Sequence, residues 1–305
     1  MRVKSRHGLV TSTLSTSLFS FRMLNRMDSC SINHFQLRHL LSVPSNRGVY
    51  FPHLNRIRRW NPTSGKSEVA VDFHEAILPR ISTCLALENN VFVGGIGGEL
   101  MMVPIGQTKA RYFCLVSQDT DNIVTHISPV PNAPSVIVSS NDSIVRRYSM
   151  EGLKLEQSFR MDWSVNAASV NPTSDLVCVV GDHTEAIILD MKSGKEVHRL
   201  QGHMDNSFAC AWSPDGRWLA TGNQDHTVRI YDCRYLRSAF SELFGEMAAV
   251  RCLKFSSDSS CLAMMEADDF VHLYDVKSDY SSRQTIDFFG TIYKSLVIYF
   301  NKVFR

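Results

Sequence analysis

The sequence is short of the features that most often announce a function. In its 305 residues no run approaches the ~18 consecutive apolar residues that a membrane-crossing helix needs, so such a helix is excluded. There is no Gly-x-Ser-x-Gly elbow, which removes the strained nucleophile turn of one large hydrolase class. The eight cysteines (Cys30, Cys84, Cys114, Cys178, Cys210, Cys233, Cys252 and Cys261) include no Cys-x-x-Cys pair. Most lie in apolar runs, and no turn brings Cys and His to zinc-ligand spacing. His34 and His39, five apart, are not a metal pair by themselves. The reading is reduced, buried thiols in an intracellular protein, with no metal and no cofactor. Acids are almost missing from the beginning of the chain: residues 1–59 hold ten Lys and Arg against Asp28 alone. That segment carries +9 and residues 60–305 carry −7, so the net charge of +2 belongs to the beginning. A mildly acidic body is a poor phosphate-binding surface, since nucleic-acid binding needs clustered Lys and Arg. Neither nucleic acid nor membrane is expected as a partner.

What is present is ordinary for a soluble globular protein: 44% hydrophobic and 20% charged residues, enough for a sizeable core. Residues 1–34 are expected to be a disordered basic leader. Residues 9–21 are interrupted by Ser and Thr and do not make a signal-peptide core. Residues 1–27 are acid-free and rich in Ser and Arg, which fits a mitochondrial transit peptide as the alternative to a cytoplasmic or nuclear location.

The body repeats itself. Trp212–Asp232 reads WSPDGRWLATGNQDHTVRIYD, and 43 residues later Phe255–Asp275 reads FSSDSSCLAMMEADDFVHLYD. Leu219 falls on Leu262, Asp225 on Asp268 and Tyr231 on Tyr274. Upstream by 42, Val170–Asp190 repeats the plan, and by 83, Ser140–Ser149 places Asp142 on Asp225 and Tyr148 on Tyr231. Leu85–Val103 is a weaker copy, and Arg56–Asn61 a partial one with Trp60 at the aromatic position. Each copy is a chain of short strands. An apolar run (Phe208–Trp212) meets a Ser-Pro-Asp-Gly turn, a second run (Trp218–Thr221) meets a tight Asn-Gln-Asp-His turn, and an alternating strand (Thr227–Tyr231) follows. Lys195–Leu200, ahead of Gly202-His203, supplies a fourth, outer strand. Four strands per ~40–45 residues is the period of a propeller blade.

Gly202-His203 through Tyr231-Asp232 resembles a WD-repeat unit, with Tyr231 in place of the usual Trp. The resemblance implies an all-β propeller of about six recognisable blades over residues 35–290, where the family closes seven. It also implies a structural tetrad of His203, Thr221, Asp225 and Tyr231. The Phe255 copy keeps Asp268 but has Glu246 and Met264 at the His and Thr positions, so no tetrad is expected there. The order of VFVGGIGGEL, SSNDSIVRRYSM, VVGDHTEAIILD and DDFVHLYD is similar to poorly characterised, transducin-like WD-repeat proteins of plants and fungi. That similarity departs after Gly290. Residues 291–305 (TIYKSLVIYFNKVFR) read as a non-family tail, implying a truncated or alternatively spliced form with incomplete last blades, in which Leu296–Phe300 adds a makeshift strand.

Two motifs yield to structural readings. Gly94-Gly95-Ile96-Gly97-Gly98 lacks the following Lys-Ser/Thr and helix of a phosphate loop and aligns with a blade turn. His203 with Asp225 is a staple rather than a catalytic pair. The expected function is a non-enzymatic protein-interaction scaffold without a small-molecule substrate. Leu219–Arg234 also resembles the box that marks substrate receptors of cullin-4 RING ubiquitin ligases, which assigns Asp232 and Arg234 to the ligase adaptor. Trp163, Asp205 and Asn206, in loops preceding blades, are the candidate contacts for another protein partner.

Overall fold

The computed structural model describes residues 2–5, 8–12, 39–44, 48–54, 56–73, 80–107, 110–119 and 121–287. Among these residues there are 25 strands, one short 3-10 turn at Val276–Ser278 and no α-helix. They fall into two compact units, one spanning Phe21–Val165 and the other Met1–Ser20 with Asn166–Arg305. No helix among the described residues is long and apolar enough to cross a membrane.

The Phe21–Val165 unit holds three antiparallel sheets. The first is β3 (Val49–His53), β4 (Arg56–Asn61) and β5 (Lys66–Asp72). Its fourth place is taken by a single bridge, in which Ser42 and Tyr50 exchange both backbone hydrogen bonds. The second is β6 (Ile81–Leu87), β7 (Asn90–Gly95), β8 (Glu99–Pro104) and β9 (Tyr112–Leu115). The third is β10 (Val124–Pro129), β11 (Ser135–Ser140), β12 (Ile144–Ser149) and β13 (Leu155–Arg160).

The other unit repeats the plan. Its sheets are β14 (Val165–Val170) to β15 (Leu176–Gly181), β16 (Ala186–Asp190) and β17 (Glu196–Leu200), then β18 (Ser207–Trp212), β19 (Trp218–Asn223), β20 (Thr227–Asp232) and β21 (Ser241–Phe244). The last sheet has β22 (Val250–Phe255), β23 (Cys261–Glu266), β24 (Phe270–Asp275) and β25 (Arg283–Asp287). These meander sheets are the blades of a β-propeller.

One expectation needs correction. The stretch assigned to a disordered leader contains strands: β1 (Arg2–Ser5) and β2 (Gly8–Ser12) pair with each other. β2 then pairs antiparallel with β25, Leu9 opposite Asp287 and Ser12 opposite Gln284, which makes the last sheet six-stranded. An uncovered outer strand presents free backbone donors and acceptors, and this hairpin occupies them. The remainder of the leader and residues 291–305, with the makeshift strand, lie outside the described residues. The expected outer strand at Lys195–Leu200 is present, and the structure adds its phase. Residues 196–200 form the outer strand of the sheet before Gly202-His203, and the outer strand after Tyr231 is β21. A sequence repeat thus begins on one blade and ends on the next.

Cores form between successive sheets because each has two apolar faces. Phe92, Leu100 and Met102 of the second sheet pack on Ile127, Val136 and Val138 of the third. In the other unit, Ala209, Ala220 and Ile230 pack on Val250, Leu253 and Leu262. Close approach requires a missing side chain. A Cβ on Gly94 would stand 2.5 Å from Val124 Cγ1 and 2.8 Å from its Cβ, and one on Gly222 would stand 2.7 Å from Val250 Cγ1. Valine cannot swing clear, since its χ1 is stiff and its Cβ is tied to the strand. Gly94→Ala is therefore expected to destabilise its unit by about 1–3 kcal/mol through overpacking, read as a lower urea midpoint at unchanged slope.

A polar device joins the first strands of successive sheets. Ser82 Oγ donates to Val124 O at 2.6 Å. In the other unit Asn166 Nδ2 donates to Ser207 O at 3.1 Å.

Candidate functional site

The β18–β21 sheet carries most of the residues singled out in the sequence, and its two ends do different things. At one end the Asn-Gln-Asp-His turn is self-organised. Asn223 Oδ1 accepts from Asp225 N at 2.7 Å, Asp225 Oδ1 accepts from Thr227 N at 2.9 Å, and His226 takes a positive φ of 67°. This turn aims Asp225 at the preceding loop. Its Oδ2 meets His203 Nδ1 at 3.0 Å and accepts from Met204 N at 3.0 Å, while Thr227 Oγ1 donates to its Oδ1 at 2.6 Å. His203 Nε2 lies 2.9 Å from Thr221 Oγ1, and the Tyr231 hydroxyl donates to Gln201 O at 3.5 Å.

The partners order the protons. Nδ1–H donates to the carboxylate, and Nε2 accepts from Thr221. Tyr231 keeps the buried aromatic position beside this chain, and its hydroxyl bonds the backbone of the preceding loop instead. Burial opposes ionisation of Asp225, but the donors His203, Thr227 and Met204 N–H outweigh it and hold the carboxyl well below its ordinary range. Burial pushes Tyr231 up to about 12. Both His203 and Asp225 are shut from solvent, so no substrate reaches them.

The next sheet has a staple that the sequence reading missed. The Phe255 copy does lack the tetrad, yet Glu266, the last residue of β23, is buried with His272. Glu266 Oε1 lies 2.6 Å from His272 Nε2, and His272 Nδ1 lies 2.9 Å from Thr285 Oγ1. The same carboxylate accepts from the backbone N–H of Glu246 (2.7 Å), Met247 (3.0 Å) and Ala248 (2.7 Å). Burial works against its charge, and His272 with the three amides overcomes it, holding the carboxyl below its ordinary value. A third solution stands in the β10–β13 sheet, where Asp142 takes a two-pronged ion pair from Arg146, Nη1 at 3.0 Å and Nη2 at 2.5 Å. All three satisfy a buried acid near the same turn. The signal was available at one register position: Arg146, Arg229 and His272 align, and two of the three face a buried acid.

At the opposite end of the β18–β21 sheet, Asp232 closes β20. It accepts from Arg234 Nε at 2.8 Å, Nη2 at 2.5 Å and backbone N at 3.0 Å, and from Arg217 Nε at 3.3 Å. The Arg234 fork is the main cause of its depressed pKa; burial opposes it, and the Arg234 N–H and Arg217 add to the lowering. The Arg234 side chain is nonetheless 69% exposed. Arg217 lies over the Trp218 ring at 4.6 Å, Phe240 packs on the same ring at 4.8 Å, and Tyr280 meets it edge-on. Phe240 and Tyr235 are 49% and 60% exposed. Arginine and aromatic side chains on a rigid strand end are the composition of interface hot spots.

The other predicted contacts do not join this group. Asp205 is exposed and Asn206 half-buried at the tetrad end, where Asp205 Oδ1 accepts from Asn206 N and Asp205 O accepts from Asn223 Nδ2. One six-residue strand, roughly 20 Å, separates them from Arg234. Trp163 is 9% exposed and is withdrawn as a partner anchor, because its ring is spent on packing. The seven described cysteines are free thiols. Burial raises Cys261 to about 12, so it stays a protonated core residue. Among the described residues no group of three or more His, Cys, Asp or Glu could hold a metal ion.

Comparison with known proteins bears on this geometry. The family described as "WD domain, G-beta repeat" matches residues 194–232, which run from the turn before β17 to the end of β20. A second, an uncharacterised protein domain (DUF2415), matches residues 248–287, one sheet from β22 to β25. The chain is 24% identical over 123 residues to the target of rapamycin complex subunit LST8 of Mus musculus, covering 40% of this chain and 38% of that protein. It is 25% identical over 112 residues to the serine-threonine kinase receptor-associated protein of Gallus gallus, covering 36% and 32%. An uncharacterised protein of Schizosaccharomyces pombe, C4G3.03, is 24% identical over 216 residues, covering 68% and 61%. The chain thus spans less than two thirds of the length of each of these relatives.

Proposed function

Because the chain is a WD-repeat β-propeller protein, we propose that it works as a non-catalytic scaffold for protein–protein interaction. One relative is by name a complex subunit and another is receptor-associated, which supports an assembly role. The observation that carries the reading is the Arg217–Asp232–Arg234 cluster with Tyr235 and Phe240. Its charged and aromatic groups are anchored on strand ends, so a partner meets them with little ordering cost.

A sharper reading follows from Arg234. The Asp232 carboxylate uses part of the guanidinium fork and leaves the rest outward, which suits the adaptor of a cullin-4 RING ubiquitin ligase and would make the chain its substrate receptor. The test is direct binding of the purified adaptor to immobilised wild-type chain and to Arg234→Ala. An exposed truncation should leave the melting temperature unchanged and weaken the adaptor at least 10-fold. No adaptor binding by wild type ends the ligase reading. The scaffold reading falls if no protein from the same cells is retained stoichiometrically by the wild-type chain.

A further inference from the structure

The polar device between first strands has a strict position. Ser82 and Asn166 are each the second residue of their strand, and each donates to the first residue of the next first strand in its own unit, Val124 or Ser207. At the following step the device stops. The second residue of β18 is Phe208, which has nothing to donate, and the next first strand is β22. There the second residue is Arg251, and its guanidinium lies over the Phe208 ring with Cζ 4.1 Å from the centroid.

Arg251 is otherwise poorly served. Its Nη1 is buried and has no hydrogen-bond partner. Burial works against its charge, and the opposing acid is Asp268, acting through space. A guanidinium stacked by its face keeps its N–H edge for in-plane bonds, and Arg251 as a whole residue is half-buried. A buried cationic donor without an acceptor is costly to keep unless something fills it.

We propose that Arg251 and Phe208 form a carboxylate-binding site, filled by an acidic side chain or a C-terminal carboxylate of a bound protein segment. A carboxylate fits because it is planar and accepts two parallel N–H bonds from one guanidinium. A phosphate dianion fits worse: the ring supplies no second cation, and the field of Asp268 repels two charges more than one. The source of the carboxylate rests on the scaffold reading, whereas the site itself rests on Arg251 alone.

The experiment titrates the full chain, by amide chemical shifts, with four probes: N-acetylglutamate α-amide, N-acetylglycine, N-acetylglutamine α-amide and inorganic phosphate. Saturable binding of either carboxylate, with shifts centred on residues 207–209 and 250–252, is expected. The glutamate probe reports a side-chain source and the glycine probe a chain terminus. The neutral glutamine probe should bind at least 10-fold more weakly. Arg251→Gln should weaken the carboxylate at least 10-fold, and Arg251→Lys, which keeps charge but loses the fork, should fall between. If Arg251→Gln does not fold, Arg251→Lys and Phe208→Leu carry the comparison. Equal binding by wild type and these variants, no carboxylate binding, or tighter binding of phosphate overturns the site. Protein partners retained by wild type and Arg251→Gln alike would leave the scaffold reading standing without it.

Discussion

Glu266→Ala is expected to destabilise the unit that holds it by about 3–5 kcal/mol, seen as a large fall in the urea midpoint. The carboxylate is fully buried and has four donors: His272 Nε2 and the amides of Glu246, Met247 and Ala248. Removing it orphans three backbone N–H groups and one imidazole N–H together, and no water replaces them without opening the sheet. Glu266→Gln keeps the shape and one acceptor oxygen and should cost less, about 1–3 kcal/mol. The pair Glu266→Gln and His272→Ala should be non-additive, because both act on one network. The pH dependence has a definite sign. The folded-state pKa of Glu266 is depressed below its ordinary 4.5. Its contribution is therefore complete above that value and is lost as pH falls through the lower folded value. Wild type should lose stability below about pH 4.5 more steeply than Glu266→Gln.

His203→Ala should cost the β18–β21 sheet about 2–4 kcal/mol. It leaves Asp225 buried with Met204 N–H and Thr227 as donors, and it leaves Thr221 without the Nε2 acceptor. Asp225 is depressed further than Glu266, so the same sign holds: stability is present above its ordinary 3.8 and drains away at lower pH. Hydrogen exchange offers a local check. The Met204 amide, held by Asp225, should lose protection in His203→Ala before the amides of β19 do.

These two residues also mark how far the sequence could be read. His203, Thr221 and Asp225 were legible because their spacing is a repeated pattern with known chemistry, whereas the Tyr231 hydroxyl turns to Gln201 O. Glu266 was not, since it aligns with Asn223 and its partner His272 aligns with Arg229. The physical demand, a buried acid gripping the preceding loop, was kept while the residues meeting it moved. The strands of the β18–β21 sheet were legible from alternation and from the Pro214-Asp215-Gly216 turn, where Gly216 takes φ 73°. The blade boundary was not, because Glu196–Leu200 has the same local pattern whichever sheet it joins. Arg234 was found as a box residue, but Arg217, Trp218 and Phe240 gather beside it only after β19 and β20 pair, Trp218 opposite Asp232. Residues 8–12 carry no partner information in their own composition. Their register with Gln284–Asp287 is a long-range fact.

That register has a consequence for the order of synthesis. At a translation rate of ~5–20 residues per second, β25 leaves the ribosome on the order of 15–55 s after β2. Each intervening sheet closes by local hairpins on a far shorter timescale, microseconds to seconds. Residues 2–12 are therefore made long before the strand that β2 pairs with. Until β25 has been made, β2 lacks the strand it pairs with, and its edge stands open to pairing with another chain.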